Sequence, residues 1–424
     1  VKLRKVIAVT VTVASALALT ACGGTSNAPS GASSEGLSAV KSIDYWYWAD
    51  DATDPTIINL AADFKQQTGI TVNLQNIPNP QFYDKLVNAV AAGNGPDATH
   101  LNTTMFGQLI SADVLAPLDD DIAKWAGKDD VIPSMWNYVK SADGKTSYAL
   151  PNKQLMFLLY YRKDLFKAAG VDVPKTQQEF VDVAAKLTDP AHNHYAFDIR
   201  GGNNGGDQWA AFLVAGGAKF LDAKGSVVFD SNEARAANAK YVSVFPYTPP
   251  GSIGNGVGQI KDNLASGTAA MIISHIGVSK ELVSKAGDNV GVALIPSVSG
   301  DPSKTTYLGT MNMNAVLASS KKKDAAFKWI SFLTETKAQL AITNSTNGYL
   351  PVVKSVATDP QYKDNQFFQV SVQEQGSSIA WPPIPGTTVA SQKTWGPVMQ
   401  AALLGQNPPD QVVKAIADTL KTGR

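Results

Sequence analysis

Cysteine is nearly absent: the 424 residues hold one, Cys22. That excludes a disulfide framework within the chain and any thiol chemistry away from that position. Histidine is scarce as well, with four residues. His192 and His194 stand two apart, with no cysteine beside them and no His-Glu-x-x-His frame, so no metal site is expected. Charged residues make up only 17% and are balanced, 36 basic against 36 acidic, with no basic stripe of the kind nucleic acid requires. No Gly-x-Ser-x-Gly elbow occurs. The pairs Gly201-Gly202 and Gly205-Gly206 around Asn203-Asn204 are not followed by Lys-Ser/Thr, so they do not make a phosphate loop. The acid clusters Asp119-Asp120-Asp121 and Asp129-Asp130 fall at helix starts or in polar loops, where capping and dipole stabilisation account for them. Neither catalysis nor a cofactor is expected.

What is present is apolar and aromatic: 44% hydrophobic residues, with eight Trp and thirteen Tyr. At ~100 to 200 residues per domain, this length suits two α/β domains with a large buried interior. Aromatic rings on a charge-poor surface suit an uncharged polar ligand better than a phosphate. The first residues carry Lys2, Arg4 and Lys5, then an apolar segment from Val6 to Ala18, shorter than the ~20 residues that span a bilayer. Leu19-Thr20-Ala21-Cys22 follows and resembles the lipobox of bacterial lipoproteins, in which the chain is cut before the cysteine and the thiol is lipidated. Residues 1–21 are thus expected to be a lipoprotein signal peptide and Cys22 the lipidation site. Acyl chains such as palmitate, two or more together, hold a protein stably at the outer face of a bacterial membrane. A soluble secreted protein with an incidental cysteine is the alternative. Loss of the leader removes three positive charges and leaves 33 basic against 36 acidic residues, a net charge of about −3. Residues 22–39, rich in Gly, Ser, Ala, Asn and Thr, read as a flexible tether.

Ser42 to Trp48 alternates and is aromatic-rich, which fits a first strand. Ligands of open α/β sheets lie off the carboxyl ends of strands, where Trp48 and Asp50 stand. Asp54 and Pro55 open a helix with Ile57, Leu60, Ala61 and Phe64 on one face, and Gly69 stops it. Ile70 to Leu74 reads as a second strand, and a helix follows from about Gln81. Leu155 to Tyr161 is an unbroken apolar run of seven residues, the signature of a strand buried on both faces. It feeds a short helix ended by Gly170. Thr176 and Glu179 form a capping box, and Asp410 to Leu420 carries Val412, Val413, Ile416 and Leu420 on one stripe.

Several stretches, in their order, resemble the extracellular solute-binding proteins of sugar ABC importers, the family that includes maltodextrin-binding proteins. They are Phe82-Tyr83-Asp84-Lys85-Leu86 leading to Gly93-Asn94-Gly95-Pro96-Asp97, Leu115-Ala116-Pro117-Leu118-Asp119, and Leu150-Pro151 through Tyr160-Tyr161-Arg162-Lys163-Asp164-Leu165-Phe166. Gly267 to Met271, Leu294-Ile295-Pro296 and Gly348-Tyr349-Leu350-Pro351 continue the pattern, which spans nearly the whole mature chain. The resemblance implies an α/β, bilobed, periplasmic-binding-protein-like fold of two mixed-sheet lobes joined by a hinge. Residues 40–149 and 296–333 would form the N-terminal lobe, and 150–295 with 334–424 the C-terminal lobe. Crossings are expected near Ala149 to Gln154, Leu294 to Lys304 and Phe332 to Glu335.

The function it implies is an extracellular, monomeric receptor that takes a mono- or oligosaccharide between its lobes and passes it to ABC permease subunits. The ligand-facing positions it implies are Trp48, Asp50, Asn102, Thr104 and Gln154, then Asn204, Asp207, Trp209, His275, Trp381 and Trp395. Each tryptophan fits a core position equally well, except that Trp395 lies in Ser391 to Pro397, whose other residues are all polar or small. Two departures reduce the stacking surface. Ser274-His275-Ile276-Gly277 stands where many relatives have Gly-x-Trp, and Leu101 replaces a first-lobe aromatic. A surface-anchored glycoside hydrolase and a same-fold receptor for a polyamine are the alternatives.

Overall fold

The computed structural model describes residues 39–49, 53–202, 204–345, 348–375 and 377–422. Cys22, the expected leader, the tether before residue 39 and Asp50 lie outside the described residues.

Among the described residues nine strands build the sheet: β1 (Ser42–Tyr47), β2 (Thr71–Asn76), β3 (Ala98–Asn102), β4 (Leu150–Arg162), β5 (Tyr195–Phe197), β6 (Ala269–His275), β7 (Val290–Ala293), β8 (Tyr307–Val316) and β9 (Ser378–Ile379). Their spatial order is β2-β1-β3-β8-β4-β6-β5, with β7 beside β4 and β9 beside β8. β1 pairs parallel with β2 and β3, while β8 runs antiparallel to both β3 and β4. Each lobe is therefore a mixed α/β layer structure.

β4 joins the two lobes. Leu150 to Met156 pair with β8, whereas Phe157 to Tyr161 pair with β6 and Leu159 to Arg162 with β7. Twelve of its thirteen residues are buried, because strands or helices cover it on all sides. Residues 150–154, expected as a bare crossing, are strand from the start. Pro151 is tolerated there because the register shifts between Pro151 and Lys153, so its missing N–H falls at an irregularity in the ladder.

Helix α1 (Thr56–Thr68) has Pro55 at its N-cap position, one residue later than expected, with Asp54 Oδ1 accepting from Thr56 N at 2.9 Å, and it ends at Gly69, whose φ is +75°. Its buried face, Leu60, Ala61 and Phe64, joins Tyr45, Trp329 and Ile330 in the first-lobe core. Trp329 meets Phe64 and Tyr45 edge-on at 5.2 and 5.6 Å. Helix Thr336–Thr343 buries Ala338 and Ile342 in that same core, and Lys337 pairs with Asp63 of α1 at 2.8 Å. It thus packs on the first lobe although it follows the stretch Phe332 to Glu335. Helices α2 (Asn79–Ala91) and α3 (Thr103–Ser111) belong to the same lobe.

Candidate functional site

A small pocket opens at the carboxyl end of β1. Strand alternation turns Tyr45 and Tyr47 toward α1, while Trp48 packs edge-on against Phe82 and His100 at 4.9 and 4.4 Å. Tyr45, Tyr47, Trp48, His100 and Tyr349 wall the pocket, and Asp54, Asn152, Lys153 and Ser345 supply polar groups. His100 Nδ1 lies 3.2 Å from Asn314 Oδ1, which also accepts from the Tyr45 hydroxyl at 2.7 Å. Since that oxygen can only accept, Nδ1 is assigned the ring proton. Burial, and to a lesser degree the neighbouring Tyr47, pushes the Tyr45 hydroxyl far above its ordinary pKa. Lys153 Nζ stands 3.8 Å from the centre of the Tyr349 ring, a cation–π contact in a buried setting.

The second lobe comes up to one wall of this pocket, Tyr349, through the segment that follows His275. His275 ends β6, and its carbonyl accepts from Tyr160 Oη at 3.1 Å. A Cβ on Gly277 would come 2.8 Å from Tyr349 Cε1, so a glycine is needed for this segment to approach the ring. Lys280 Nζ donates to the carbonyls of Asn344 and Ser345 at 3.0 and 2.7 Å. Burial lowers its pKa, partly opposed by the charge of Asp54.

Further contacts between the lobes lie along α2 and α3. Asn204, in the left-handed conformation at φ +55°, places Nδ2 3.4 Å from Asn79 Oδ1. Lys393 pairs with Asp84 at 3.5 Å. Thr388 Oγ1 donates to the Thr104 carbonyl at 2.7 Å. Asn102 caps α3, accepting from Met105 N and from the Thr104 hydroxyl. Gln154 is fully buried, and its main chain pairs with Leu350 in both directions at 3.1 Å. Asp207 accepts from Trp381 Nε1 at 2.9 Å. Burial pushes its carboxyl up, opposed by the Arg200 charge and by that indole N–H.

The tryptophans expected as stacking platforms are placed otherwise. Trp209 is fully buried, donates to Asn238 Oδ1 at 2.7 Å and packs on Phe229. Trp395 is 1% exposed, tilted against Trp209 at 6.3 Å and wedged over Gly205 and Gly206. Both are corrected to core residues: protein atoms cover the ring faces that a sugar would need. Trp381 leans on Phe220 at 4.6 Å and is 2% exposed, at the edge of a groove it shares with Thr103 and Phe106. Of the expected residues the structure brings Trp48 to the pocket and His275 next to it. Gln154 is buried in β4 outside the pocket lining; Thr104 and Asn204 meet the other lobe, whereas Asn102 caps α3 and Asp207 holds Trp381 within their own lobes.

The sequence reading misses His100, Asp54, Lys153, Tyr349 and Lys280. Tyr349 carries a signal in the Gly-Tyr-Leu-Pro pattern, and Asp54 reads from the sequence as a cap alone. Among the described residues no three His, Cys, Asp or Glu side chains converge as metal ligands. His192 instead meets Asp189 at 2.6 Å within an exposed turn, and His194 meets the Gly267 carbonyl at 2.8 Å.

Residues 49–340 match the family model described as bacterial extracellular solute-binding protein. Over 219 residues, 49% of each chain, the sequence is 33% identical to the mannitol-binding protein of Pseudomonas aeruginosa. The fold matches an ABC transporter solute-binding protein from Thermotoga lettingae TMO bound with α-D-tagatose, at TM-score 0.80 and 25% identity over 90% of this chain and 98% of that one. T. maritima MalE3 with maltose bound matches at TM-score 0.77 and 26% identity, over 90% and 99%.

Proposed function

Since the chain belongs to the bacterial extracellular solute-binding proteins, we propose that it captures a carbohydrate or polyol between its lobes and delivers it to the permease of an ABC importer. The observation that carries this reading is the pocket walled by Trp48 and Tyr349, beside which the second-lobe segment Gly277 to Lys280 meets Tyr349 and Ser345: aromatic walls with a few convergent polar groups. Trp and Tyr faces suit C–H surfaces, and Asn, Asp, His and Ser suit hydroxyls. Asp54 is the one carboxylate among the described residues that line the pocket, which speaks against a polyamine. The protein acts as a receptor without chemistry of its own.

The lobes rotate about β4, the β7–β8 connection and the chain that follows Thr343. Helix Thr336–Thr343 then moves with the first lobe, a later third crossing than Phe332 to Glu335. Hinge closure of this kind buries the ligand between lobes.

Thermal-shift measurement of the mature domain against monosaccharides, oligosaccharides, polyols and polyamines tests the function. A ligand at ~100 times its Kd adds ~2.7 kcal/mol of stability. A shift with a polyamine and none with any sugar or polyol would sink it, and release of reducing sugar by the pure protein would replace it with a hydrolase.

Anchoring belongs to the same proposal. Leu19-Thr20-Ala21-Cys22 supports lipidation at Cys22 and retention on the outer face of the membrane, with the tether giving the domain reach. Cys22→Ser should abolish lipid labelling, and membrane retention of a processed, unlabelled form would refute the anchor.

A further inference from the structure

Resting on the receptor reading above, we infer that the ligand is of monosaccharide or single-polyol size and that the site excludes oligosaccharides. Two independent features of the lobe junction lead there.

The first is the loss of stacking platforms in the second lobe. A chain of pyranose rings is held by repeated aromatic faces, each ring presenting its own C–H surface. The second-lobe tryptophans 209 and 395 are each 1% exposed or less, and protein groups cover them, Asn238 and Phe229 in one case and Gly205 and Gly206 in the other, while Trp381 leans on Phe220 and Asp207 and edges the groove beside Thr103 and Phe106. A further sugar ring finds no platform on Trp209 or Trp395. Recognition falls to hydrogen bonds with hydroxyls and to the rings grouped around Trp48 and Tyr349.

The second feature is closure of the junction at its ends. At the α3 end, Thr388 donates to the main chain of Thr104, and Gly107 touches the main chain of Pro383 and Ile384 so closely that a Cβ would fall 2.3 to 2.6 Å from it. Main chain faces main chain there, so no side chain can swing aside for a second ring. At the α2 edge, Asn79 meets Asn204 and Asp84 meets Lys393. On the third side, Lys280 is tied to the Asn344 and Ser345 carbonyls. A longer ligand would have to break at least one of these contacts and would lose the closure that holds it.

Isothermal titration of the full mature domain with matched series tests this: glucose, maltose, maltotriose and maltotetraose; galactose and β-1,6-galactobiose; mannitol and ribitol. The expected result is saturable binding of at least one monosaccharide or polyol, with every longer member of its series at least tenfold weaker. If a di-, tri- or tetrasaccharide binds as tightly as its monomer or more so, the size limit is overturned while the carbohydrate reading stands. If no member of any series binds, the carbohydrate reading itself falls, and the size limit with it.

Discussion

Replacing Trp395 by alanine separates the structural reading of this ring from the reading its sequence neighbourhood invites. Trp395 is 1% exposed and packs on Trp209, Gly205 and Gly206. Emptying such a site costs ~3 to 5 kcal/mol through lost transfer energy and the cavity left behind. Its indole N–H is buried with no hydrogen-bond partner among the described residues, so the substitution breaks no hydrogen bond to them and relieves a desolvated donor, whose burial costs ~1 to 3 kcal/mol. The net loss should therefore lie at the lower end, about 3 kcal/mol. At ~2 to 4 °C per kcal/mol for a domain of 150 to 250 residues, that lowers the melting temperature by about 6 to 12 °C. Trp395→Phe, which fills much of the cavity and removes the unpaired donor, should cost distinctly less. Differential scanning calorimetry gives the stability, and isothermal titration below the melting range gives the Kd, which should stay near the wild-type value. If Trp395→Ala melts like wild type but binds its ligand tenfold or more weakly, the ring faces the ligand and its assignment to the core is wrong.

Gly107→Ala would drive a methyl group into the main chain of Pro383 and Ile384, so α3 and that second-lobe segment must separate. Ligand affinity should fall at least tenfold and small-angle scattering of the ligand-saturated form should show a larger radius of gyration; a wild-type Kd would refute the close approach. Asp207 tests the electrostatics of the second lobe: burial raises its folded pKa above the ordinary Asp value, against the pull of Arg200 and Trp381. The folded state then binds more protons than the unfolded state between the two values, so the penalty for a buried carboxylate is present above the folded pKa and disappears as pH falls through it. Wild type should gain melting temperature relative to Asp207→Asn as pH drops from 7 toward the ordinary Asp range, and a difference that stays flat with pH would refute the shift.

Local signals in this chain read through to the structure wherever the physics is local. Gly69 and Gly170 end their helices with positive φ, Thr176 and Glu179 form a reciprocal capping box, and Asp410–Lys421 buries Val412, Val413, Ile416 and Leu420. The apolar run Leu155 to Tyr161 is buried strand because its neighbours on both sides are strands, and its pattern needs no distant partner to be read. The candidate site is only partly legible, because its residues come from five separated stretches that the fold alone brings together. Trp48 is found from its place at a strand end, but Lys280 acts through main-chain carbonyls of Asn344 and Ser345, and nothing in its own surroundings signals that.

Trp395 shows why the remainder is hidden. Ser391 to Pro397 is polar, so no apolar stripe claims the ring, yet a π turn over Ala390–Thr394 precedes it. Such turns re-aim the residues that follow them, and the ring lies against glycines nearly two hundred positions earlier in the chain. The pair Gly205-Gly206 carries half of that information. A Cβ on Gly205 would strike the Arg200 carbonyl at 1.7 Å and the Trp395 ring at 2.5 Å, so the glycines admit a neighbouring main chain and a tryptophan, where the sequence suggests room for a ligand. Glycine in a loop reports that something comes close. Whether that something is a sugar or an indole depends on packing between segments far apart in the chain, and a local reading of either segment contains only one side of the contact.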